Sequence, residues 1–446
     1  MQEPAQIDNG WAAPSGSGPV HATIAPPGSK SITNRALVIA ALADGPTTIS
    51  GPLQSRDTDL MAGAITALGA SLRREPGTWT LDPGWTGGTT SVDVGNAGTV
   101  LRFVPPLAAL TKADVRFAGD PRAAQRPVGQ VLSGLRQLGV EIDDGGRDAV
   151  PFTVRGRGGV RGGSVTMDAS DSSQFISALM LAASRFDSAT LIQHVGDRIP
   201  SAPHIAMTIA MLTAAGARIE PTGGTGGRPP GLAAAGGTAS WRVLPAPLNP
   251  GVITVEPDLS NAAPFLAAAL ITGGDVTIPG WPEPSLQAAG PILEVLAEMG
   301  ASAVTNSAGL RIQGTGRIRG IRADLRDISE LTPVLTALAA LADSPSQFTG
   351  IGHLRLHESD RLAALAAEIG ALGGHVTELA DGLHIEPRPL RPGDQPFDSH
   401  DDHRLVMGAA VLGLAVPGLR IHNAATVGKT FPGFLGLWQQ MLERPS

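Results

Sequence analysis

The sequence predicts an α/β protein of two domains, with three copies of one supersecondary unit in each domain. Two patterns support this prediction: an apolar helical stretch followed by a strand-like stretch recurs along the chain, and a second helical pattern alternates with it. Length is the third observation. Because 446 residues exceed what one hydrophobic core usually serves, two domains are expected.

The first pattern is a helical stretch rich in Ala and Leu, a break at small residues, and a stretch typical of a β-strand. Its six copies span residues 37–50, 101–117, 175–193, 265–278, 334–348 and 406–421. They lie much farther apart than the repeats of solenoid proteins, so each copy indicates a separate supersecondary unit. The apolar helices and alternating strands predict sheets around paired buried helices.

The second pattern is a helical stretch that ends in Leu-Gly or a similar pair and leads into a strand. Its copies span residues 60–72, 131–142, 205–219, 292–304 and 362–376, and a sixth candidate spans 434–442. Glycine just past a helix is typical of a left-handed C-terminal cap. The sixth copy lacks its strand, and we expect residues 20–25 to supply it.

The domain boundary is predicted near residue 250, where Pro245, Pro247, Pro250 and Gly251 cluster after three repeats. One domain then contains residues 1–27 and 256–446, and the other contains residues 28–255. Both chain ends therefore belong to the same domain.

Composition excludes several classes of protein. Charged residues make up 16% of the chain and apolar residues 42%, which excludes an extended disordered protein. The formal net charge of −7 argues against nucleic acid or an anionic membrane as the main partner. The chain contains no cysteine, which excludes disulfides, thiolate catalysis and zinc–sulfur sites.

We expect a cytoplasmic protein. Residues 1–19 are rich in Pro, Gly and Ser, and we interpret them as a frayed leader without the features of a signal peptide. The apolar stretches are too short to span a bilayer. The glycine-rich run 223–237 lacks the spacing of a nucleotide-binding loop and is predicted to be a surface loop. A monomer is the expected state.

Residues 27–36, Pro-Gly-Ser-Lys-Ser-Ile-Thr-Asn-Arg-Ala, have the features of an anion pocket. Lys30 and Arg35 stand among three hydroxyl side chains where a Pro-Gly turn enters a helix-like stretch. A helix N-terminus offers unpaired N–H groups and the positive end of the dipole, which favour phosphate or carboxylate. Taken alone, the segment is equally typical of a Ser-capped helix with a solvated lysine.

Cations recur at the starts of the predicted helices, at Lys30, Arg35, Arg102, Arg361, Arg404 and Lys429. The Ser, Thr, Asn and Asp residues around them are typical N-caps, and each group alone is more simply interpreted as a cap. Capping does not explain the cations, because the helix dipole disfavours positive charge at an N-terminus. The set predicts a pocket for a multiply charged anion.

Seven segments carry a family resemblance: residues 27–36, Gly-Asn-Ala-Gly-Thr at 95–99, Gln-Arg-Pro at 125–127, Ser-Ser-Gln at 172–174, His-Glu-Ser-Asp-Arg at 357–361, Asp-His-Arg at 402–404 and Lys-Thr-Phe-Pro at 429–432. In this order, over essentially the whole chain, they resemble the 5-enolpyruvylshikimate-3-phosphate (EPSP) synthase family. The resemblance implies a two-domain inverse α/β barrel with three βαβαββ-type repeats per domain and an active site in the cleft between them.

The resemblance also implies the reaction. The enolpyruvyl group of phosphoenolpyruvate moves to the 5-hydroxyl of shikimate-3-phosphate, through a tetrahedral intermediate that expels phosphate, in chorismate and aromatic amino acid biosynthesis. This chemistry needs an acid and a base among fixed cations, with water excluded. No cofactor is implied. Glyphosate is the implied inhibitor, and Gly98 leaves room where a methyl group would crowd it.

Site residues follow from the same resemblance. The implied catalytic residues are Glu330, Glu358 and Lys30. The implied phosphoenolpyruvate-binding residues are Lys30, Gly98, Arg126, Gln174, Arg361, Arg404 and Lys429. The implied shikimate-3-phosphate-binding residues are Lys30, Ser31, Arg35, Ser172, Ser173, Gln174, Ser201, Glu330, His353 and His357.

The chain departs from the family pattern at two places. Glu330 stands where an aspartate base is usual, and His353 and His357 stand where many members have Asn and Lys. His357 replaces an ammonium only when protonated, so we expect its contribution to weaken as pH rises. The spacing of these two histidines and the run 400–403 resemble metal ligands, but we expect no metal, since too few ligands converge and arginines surround them.

Three alternatives remain open at this point. An enolpyruvyl transferase acting on a uridine-diphospho-sugar shares the fold and donor, but the absence of cysteine and the Ser-Ser-Gln segment argue against it. An RNA 3′-phosphate cyclase shares the repeat architecture and would need a nucleotide site that the sequence lacks. A non-catalytic phosphosugar-binding protein would not need Glu330 and Glu358 beside the cations.

Overall fold

The chain divides into two compact units in a computed structural model that describes residues 10–223 and 239–443. The terminal unit contains both ends of the chain, Met1–Pro27 and Pro257–Ser446, and the central unit contains Gly28–Glu256. The predicted loop 223–237 lies outside the described residues except for Gly223. No helix in the described ranges is long and apolar enough to cross a membrane.

Two short strands come first in the described chain, β1 (Trp11–Ala12) and β2 (His21–Thr23). The first repeat of the central unit follows, with α1 (Lys30–Leu42), β3 (Thr47–Ser50), α2 (Arg56–Ala67), β4 (Ser71–Glu75) and β5 (Thr78–Asp82). The second has β6 (Gly87–Asp93), α3 (Gly98–Leu110), β7 (Lys112–Ala118), α4 (Gly129–Gln137), β8 (Glu141–Asp143) and β9 (Phe152–Arg155). The third has β10 (Gly163–Met167), α5 (Gln174–Ala183), β11 (Thr190–His194), α6 (Pro203–Ala214), β12 (Arg218–Gly223) and β13 (Ser240–Leu244), and β14 (Val252–Thr254) ends the unit.

The terminal unit continues with the same order of elements. Its first repeat has α7 (Leu259–Thr272), β15 (Asp275–Ile278), α8 (Ala289–Glu298), β16 (Ser302–Asn306) and β17 (Gly309–Gln313). Its second has β18 (Arg322–Asp324), α9 (Thr332–Ala340), β19 (Ser346–Thr349), α10 (Arg361–Ala371), β20 (His375–Leu379) and β21 (Gly382–Glu386). Its third has β22 (Phe397–Asp398), α11 (His403–Gly413), β23 (Arg420–His422) and α12 (Phe434–Glu443).

Each complete repeat forms one four-stranded sheet. A parallel pair comes first, such as β6 with β7, and an antiparallel hairpin follows, such as β9 with β8. The first repeat of each unit begins with a helix, so its leading strand comes from elsewhere in the unit: β14 pairs in parallel with β3, and β2 pairs in parallel with β15. The predicted α/β fold with three repeats per unit is confirmed. In the described residues the sheets are separate and do not close into one barrel.

The N-terminal strands correct two predictions. Strand β2, at the predicted position 20–25, joins the fourth repeat of the chain and not the sixth. The sixth repeat instead takes β1, where Trp11 pairs with Ile421. Residues 11–13 are therefore held in place, with Ala13 only 6% exposed, and are not part of a frayed leader. The cause is an unpaired edge of β23, which an extended segment covers with backbone hydrogen bonds.

The helices of the first pattern form the core of each unit. In α5 every residue from Phe175 to Ala183 is buried, and α1, α3, α7, α9 and α11 are buried on nearly all sides. The helices of the second pattern bury only one face, as α4 does with Val131, Leu132 and Leu135. This difference follows from composition, because a helix apolar all round must be enclosed by other elements.

Candidate active site

The N-termini of the three core helices of the central unit meet. The Asn34 side chain in α1 donates to Thr99 Oγ1 in the first turn of α3 at 2.6 Å. Arg102, one turn further along α3, donates through Nη1 to Oε1 of Gln174, the first residue of α5, at 2.9 Å. Three helix N-termini in one place concentrate N–H groups and positive dipole ends, an arrangement that favours an anion.

Lys30 begins α1 and forms an ion pair in this region. Its Nζ lies 3.1 Å from Oδ2 of Asp57, whose side chain is only 3% exposed. Asp57 stands in the first turn of α2, and its pairing with Lys30 is not apparent from the sequence. The one signal in the sequence is an acidic residue after the cap Ser55, which is also the signature of an ordinary helix start. This carboxylate fixes the position of the lysine ammonium.

Arg35 is a buried guanidinium whose hydrogen-bond acceptors are uncharged. It donates to Thr208 Oγ1 at 2.7 Å, to the Ser31 carbonyl at 3.1 Å and to the His204 carbonyl at 3.2 Å. Burial lowers the pKa of Arg35 to about 9. Its side chain links α1 to α6, and its charge makes the electrostatic potential near the N-termini of both helices more positive.

Gly98 lies against two more guanidinium groups. A Cβ at this position would stand 2.7 Å from Arg126 Nη2 and 3.0 Å from Arg102 Nη1. Arg126 is 5% exposed and donates to the Asn96 carbonyl at 2.8 Å, while Arg102 is 3% exposed and donates to the Pro127 carbonyl at 3.0 Å. Glycine therefore lets these two charged groups approach the helix N-terminus closely.

The serine residues of the predicted phosphate site lie on two neighbouring loops. Ser172 and Ser173 precede α5, and Ser201 precedes α6. Ser201 has φ = +52°, a left-handed conformation that residues other than glycine seldom adopt. Such a backbone conformation persists where the surroundings enforce it, often at a binding site.

Arg361 is the centre of a second cluster, in the terminal unit. Its side chain is fully buried, and its Nε and Nη2 donate to the two carboxylate oxygens of Asp402 at 2.8 and 3.2 Å. Nη2 also donates to Glu358 at 3.1 Å, and Nη1 donates to Glu330 at 3.2 Å and to His357 Nδ1 at 3.3 Å. All N–H groups of this guanidinium thus have acceptors within the protein. A carboxylate of a ligand can accept from Arg361 only if it replaces one of these acceptors.

Two further cations complete this cluster. Lys429 Nζ donates to the other oxygen of Glu358 at 2.9 Å. Arg404 Nε lies 3.5 Å from Glu330 Oε2, and its Nη1 donates to Asn261 Oδ1 at 3.2 Å. Three carboxylates and three cations therefore lie together. The helix dipole disfavours positive charge at these helix N-termini, and carboxylates of the protein itself compensate that charge in addition to any bound ligand.

The role of Asp402 in this cluster is not apparent from the sequence. It is fully buried, and besides Arg361 it accepts from the Ser359 hydroxyl at 3.1 Å and from the Arg404 backbone N–H at 2.9 Å. The last contact caps α11, the role that a sequence alone indicates. The ion pair with Arg361 bridges 41 positions of chain and has no local signature.

Burial and neighbouring charges together decide the protonation states in this cluster. Partial burial would raise the pKa of Glu330, but the charges of Arg361 and Arg404 outweigh it and hold that pKa well below its usual value. Burial and the charge of Arg361 hold the pKa of His357 well below its usual value, and burial lowers the pKa of His353 to about 4. At neutral pH Glu330 is ionised and both histidines are neutral.

The structure thus connects most of the predicted residues within each unit. In the central unit it brings Gly98, Arg102, Arg126 and Gln174 together, with Lys30 paired to Asp57 and Arg35 tied to α6. In the terminal unit it brings Glu330, His357, Glu358, Arg361, Arg404 and Lys429 together. His353 stands at the edge, 3.1 Å from Ser329 Oγ. Among the residues that the structure describes, no group of three or more acidic or histidine side chains suits a metal ion.

Comparison with known proteins assigns the chain to a family. The family model of EPSP synthase (3-phosphoshikimate 1-carboxyvinyltransferase) matches residues 14–438. The chain belongs to the EPSP synthase family. A curated relative, 3-phosphoshikimate 1-carboxyvinyltransferase of Kocuria rhizophila, is 46% identical over 98% of this chain and 97% of its own length.

Solved structures of the family have the same fold. A structure of EPSP synthase from Acinetobacter baumannii has a TM-score of 0.76 and 25% identity, covering 96% of this chain and 97% of that chain. A second structure of EPSP synthase from this organism has a TM-score of 0.74 at 24% identity. The repeat architecture described above is therefore that of the family.

Proposed function

We propose that the two clusters bind the substrates of the EPSP synthase reaction and carry its proton transfers. As a member of this family, the chain is an enzyme that transfers the enolpyruvyl group of phosphoenolpyruvate to shikimate-3-phosphate in aromatic amino acid biosynthesis. Family membership over nearly the whole chain favours this reaction over transfer to a uridine-diphospho-sugar and over a binding protein without catalysis.

The observation that carries the proposal is the network around Arg361. Glu330 and Glu358 both accept from this one buried guanidinium, which places two carboxylates in a fixed relation among three cations. General acid–base catalysis of an addition needs such a pair in a rigid, charged environment. A phosphosugar-binding protein would gain nothing from the buried Glu358 and the partly exposed Glu330 beside its ligand, since both carboxylates repel the charge of the ligand.

Glu330 is the base in this proposal. Because Glu330 is ionised at neutral pH, it can accept the proton of the 5-hydroxyl as that oxygen attacks C2 of phosphoenolpyruvate, although the arginine charges that lower its pKa also weaken it as a base. Glu358 and Lys30 take part in delivering a proton to the methylene carbon, which becomes a methyl group. In the elimination step the proton of the methyl carbon returns to the group that delivered it, a carbon–carbon double bond forms, the carbon–oxygen bond to phosphate breaks, and phosphate leaves with the electron pair of that bond.

The cations hold the charged groups of the substrates. Lys30, Arg126 and Lys429 bind the phosphate of phosphoenolpyruvate, and Arg361 and Arg404 bind its carboxylate. Shikimate-3-phosphate is bound by Ser31, Arg35, Ser172, Ser173, Ser201, His353 and His357. Gln174 contacts both substrates. The contact between Arg102 and Gln174 at the meeting helix N-termini supports this arrangement.

His357 acts as a neutral hydrogen-bond donor before substrate arrives. Because Arg361 donates to its Nδ1, the ring proton stands on Nε2, and the lowered pKa keeps the ring uncharged at neutral pH. A phosphate dianion beside the ring would raise that pKa. The interaction between His357 and shikimate-3-phosphate then strengthens as pH falls.

An acceptor comparison tests the proposal. Phosphate release from phosphoenolpyruvate is measured with shikimate-3-phosphate and with a uridine-diphospho-sugar, using the parent enzyme, Lys30→Ala, Arg404→Ala and the control Arg317→Ala. Arg317 forms an exposed ion pair with Asp343. We expect turnover with shikimate-3-phosphate only, lost in the first two variants and kept in the control. Near-parent turnover in Lys30→Ala or Arg404→Ala contradicts the residue assignment.

A further inference from the structure

Two loops of the central unit leave the same edge of one sheet. Strands β10 and β11 are parallel neighbours, and Met167 and His194 are the last residues in register. The loop after β10 carries Ser172 and Ser173, and the loop after β11 carries Ser201. The distance between the two groups of hydroxyls therefore depends on how these loops are joined.

His194 joins the two loops through both ring nitrogens. It is 2% exposed, its Nδ1 accepts from the Ala169 N–H at 3.2 Å, and its Nε2 lies 2.7 Å from the Asp197 carbonyl oxygen. A backbone N–H only donates and a carbonyl only accepts, so Nδ1 is unprotonated and Nε2 carries the proton. Only a neutral imidazole of this tautomer makes both bonds.

Ser170 provides a second connection between the same loops. The Asp197 N–H donates to Ser170 Oγ at 2.8 Å, and the Ser170 hydroxyl donates to Asp168 Oδ1 at 2.5 Å. Gly196 has φ = +120°, and a Cβ there would stand 2.5 Å from Asp168 Oδ1 and 2.7 Å from Ser170 Oγ. The second loop therefore lies directly on the first, at a distance that only glycine permits.

We infer that His194 is a positioning residue of the proposed shikimate-3-phosphate site and sets the spacing of Ser172 and Ser173 relative to Ser201. The inference rests on the proposed assignment of these serines to shikimate-3-phosphate. The left-handed backbone of Ser201 supports it, because such a conformation needs the surrounding loop to be held. Loss of the His194 bridge lets the loop relax and moves the Ser201 hydroxyl away from the position that binds the substrate.

The test uses binding of shikimate-3-phosphate, measured by calorimetry, and the KM for phosphoenolpyruvate at saturating shikimate-3-phosphate. His194→Phe keeps the aromatic volume and removes both hydrogen bonds, and Ser170→Ala removes the second connection. We expect each to weaken shikimate-3-phosphate binding by about tenfold. The KM for phosphoenolpyruvate should stay within about twofold of the parent value, since all of its proposed residues except Gln174 lie on other elements.

Ser188→Ala is the matched control. The Ser188 hydroxyl donates to the Arg161 carbonyl at 2.5 Å and joins the segments that precede the same two strands, at the opposite end. This variant loses one hydrogen bond in the same sheet and should bind shikimate-3-phosphate like the parent. Equal weakening in Ser188→Ala and His194→Phe would overturn the inference, because the effect would then be general to the sheet.

A coupling measurement separates positioning from simple stability. If His194 acts through Ser201, then Ser201→Ala weakens binding less in the His194→Phe background than in the parent. Additive effects overturn the inference. If His194→Phe binds shikimate-3-phosphate as tightly as the parent, the inference is also overturned. If His194→Phe does not fold, parent-like affinity of Ser170→Ala overturns it in the same way. If Ser172→Ala and Ser201→Ala both bind normally, the proposed site is wrong, which is a different outcome.

Discussion

Replacing Asp402 by asparagine removes one charge from the most buried ion pair of the terminal unit. Arg361 and Asp402 are both fully buried, and two hydrogen bonds of 2.8 and 3.2 Å join them. Removing one partner of such a pair costs about 3–5 kcal/mol, because the other charge stays buried. Arg361 keeps Glu330 and Glu358, so we expect the lower end of this range, about 3 kcal/mol.

Asp343→Asn is the matched control for this experiment. Asp343 pairs with Arg317 at 3.2 Å, but the two side chains are 42% and 83% exposed, and such surface pairs contribute about 0–1 kcal/mol. The free energy of unfolding is measured by urea titration with tryptophan fluorescence. Equal midpoints for Asp402→Asn and Asp343→Asn would refute the reasoning that burial makes this pair important.

Activity provides a second measurement on the same two variants. Asp402 holds Arg361 in the position from which it reaches Glu330 and Glu358. A displacement of about 1 Å at a positioning group can lower turnover by about a hundredfold. We expect kcat to fall in Asp402→Asn by about this factor and to remain at the parent value in Asp343→Asn.

Three further predictions concern the site. Glu330→Gln should lose turnover while substrate binding is kept, as judged by kcat and by calorimetry, and unchanged turnover would assign Glu330 to packing. Gly98→Ala places a methyl group against Arg126 and should raise the KM for phosphoenolpyruvate and weaken glyphosate inhibition; equal glyphosate sensitivity would misplace the pocket. The pKa of His353 is about 4 in the folded protein against a usual 6.5. The unfolded chain therefore takes up this proton at a higher pH than the folded chain, and the free energy of unfolding decreases as the pH falls from 6.5 to 4. On acidification from pH 7 to 4, the free energy of unfolding should decrease by about 3 kcal/mol less in His353→Gln than in the parent. An equal decrease in the two proteins would contradict this.

The repeats and the helix starts follow from the sequence itself. The fully apolar helices and the helices with one apolar face are visible in the order of residues, because helical periodicity is a local property. The structure confirms this division in α5, which is buried throughout, and in α4, which buries one face. The cations at the helix starts can be predicted for the same reason. The charge of a residue and its position next to a helix cap both follow from a segment of a few residues.

Tertiary structure alone decided which partner each of these groups has. Strand β1 pairs with β23 across most of the chain, Asp402 lies against Arg361, and Asp57 lies against Lys30. The sequence suggests each of these acids only as a helix-start residue, because a cap is local whereas an ion pair between separate helices depends on their packing. Burial then sets the strength of the ion pair, and the charges of Arg361 and Arg404 set the protonation state of Glu330. These surroundings exist only in the folded chain.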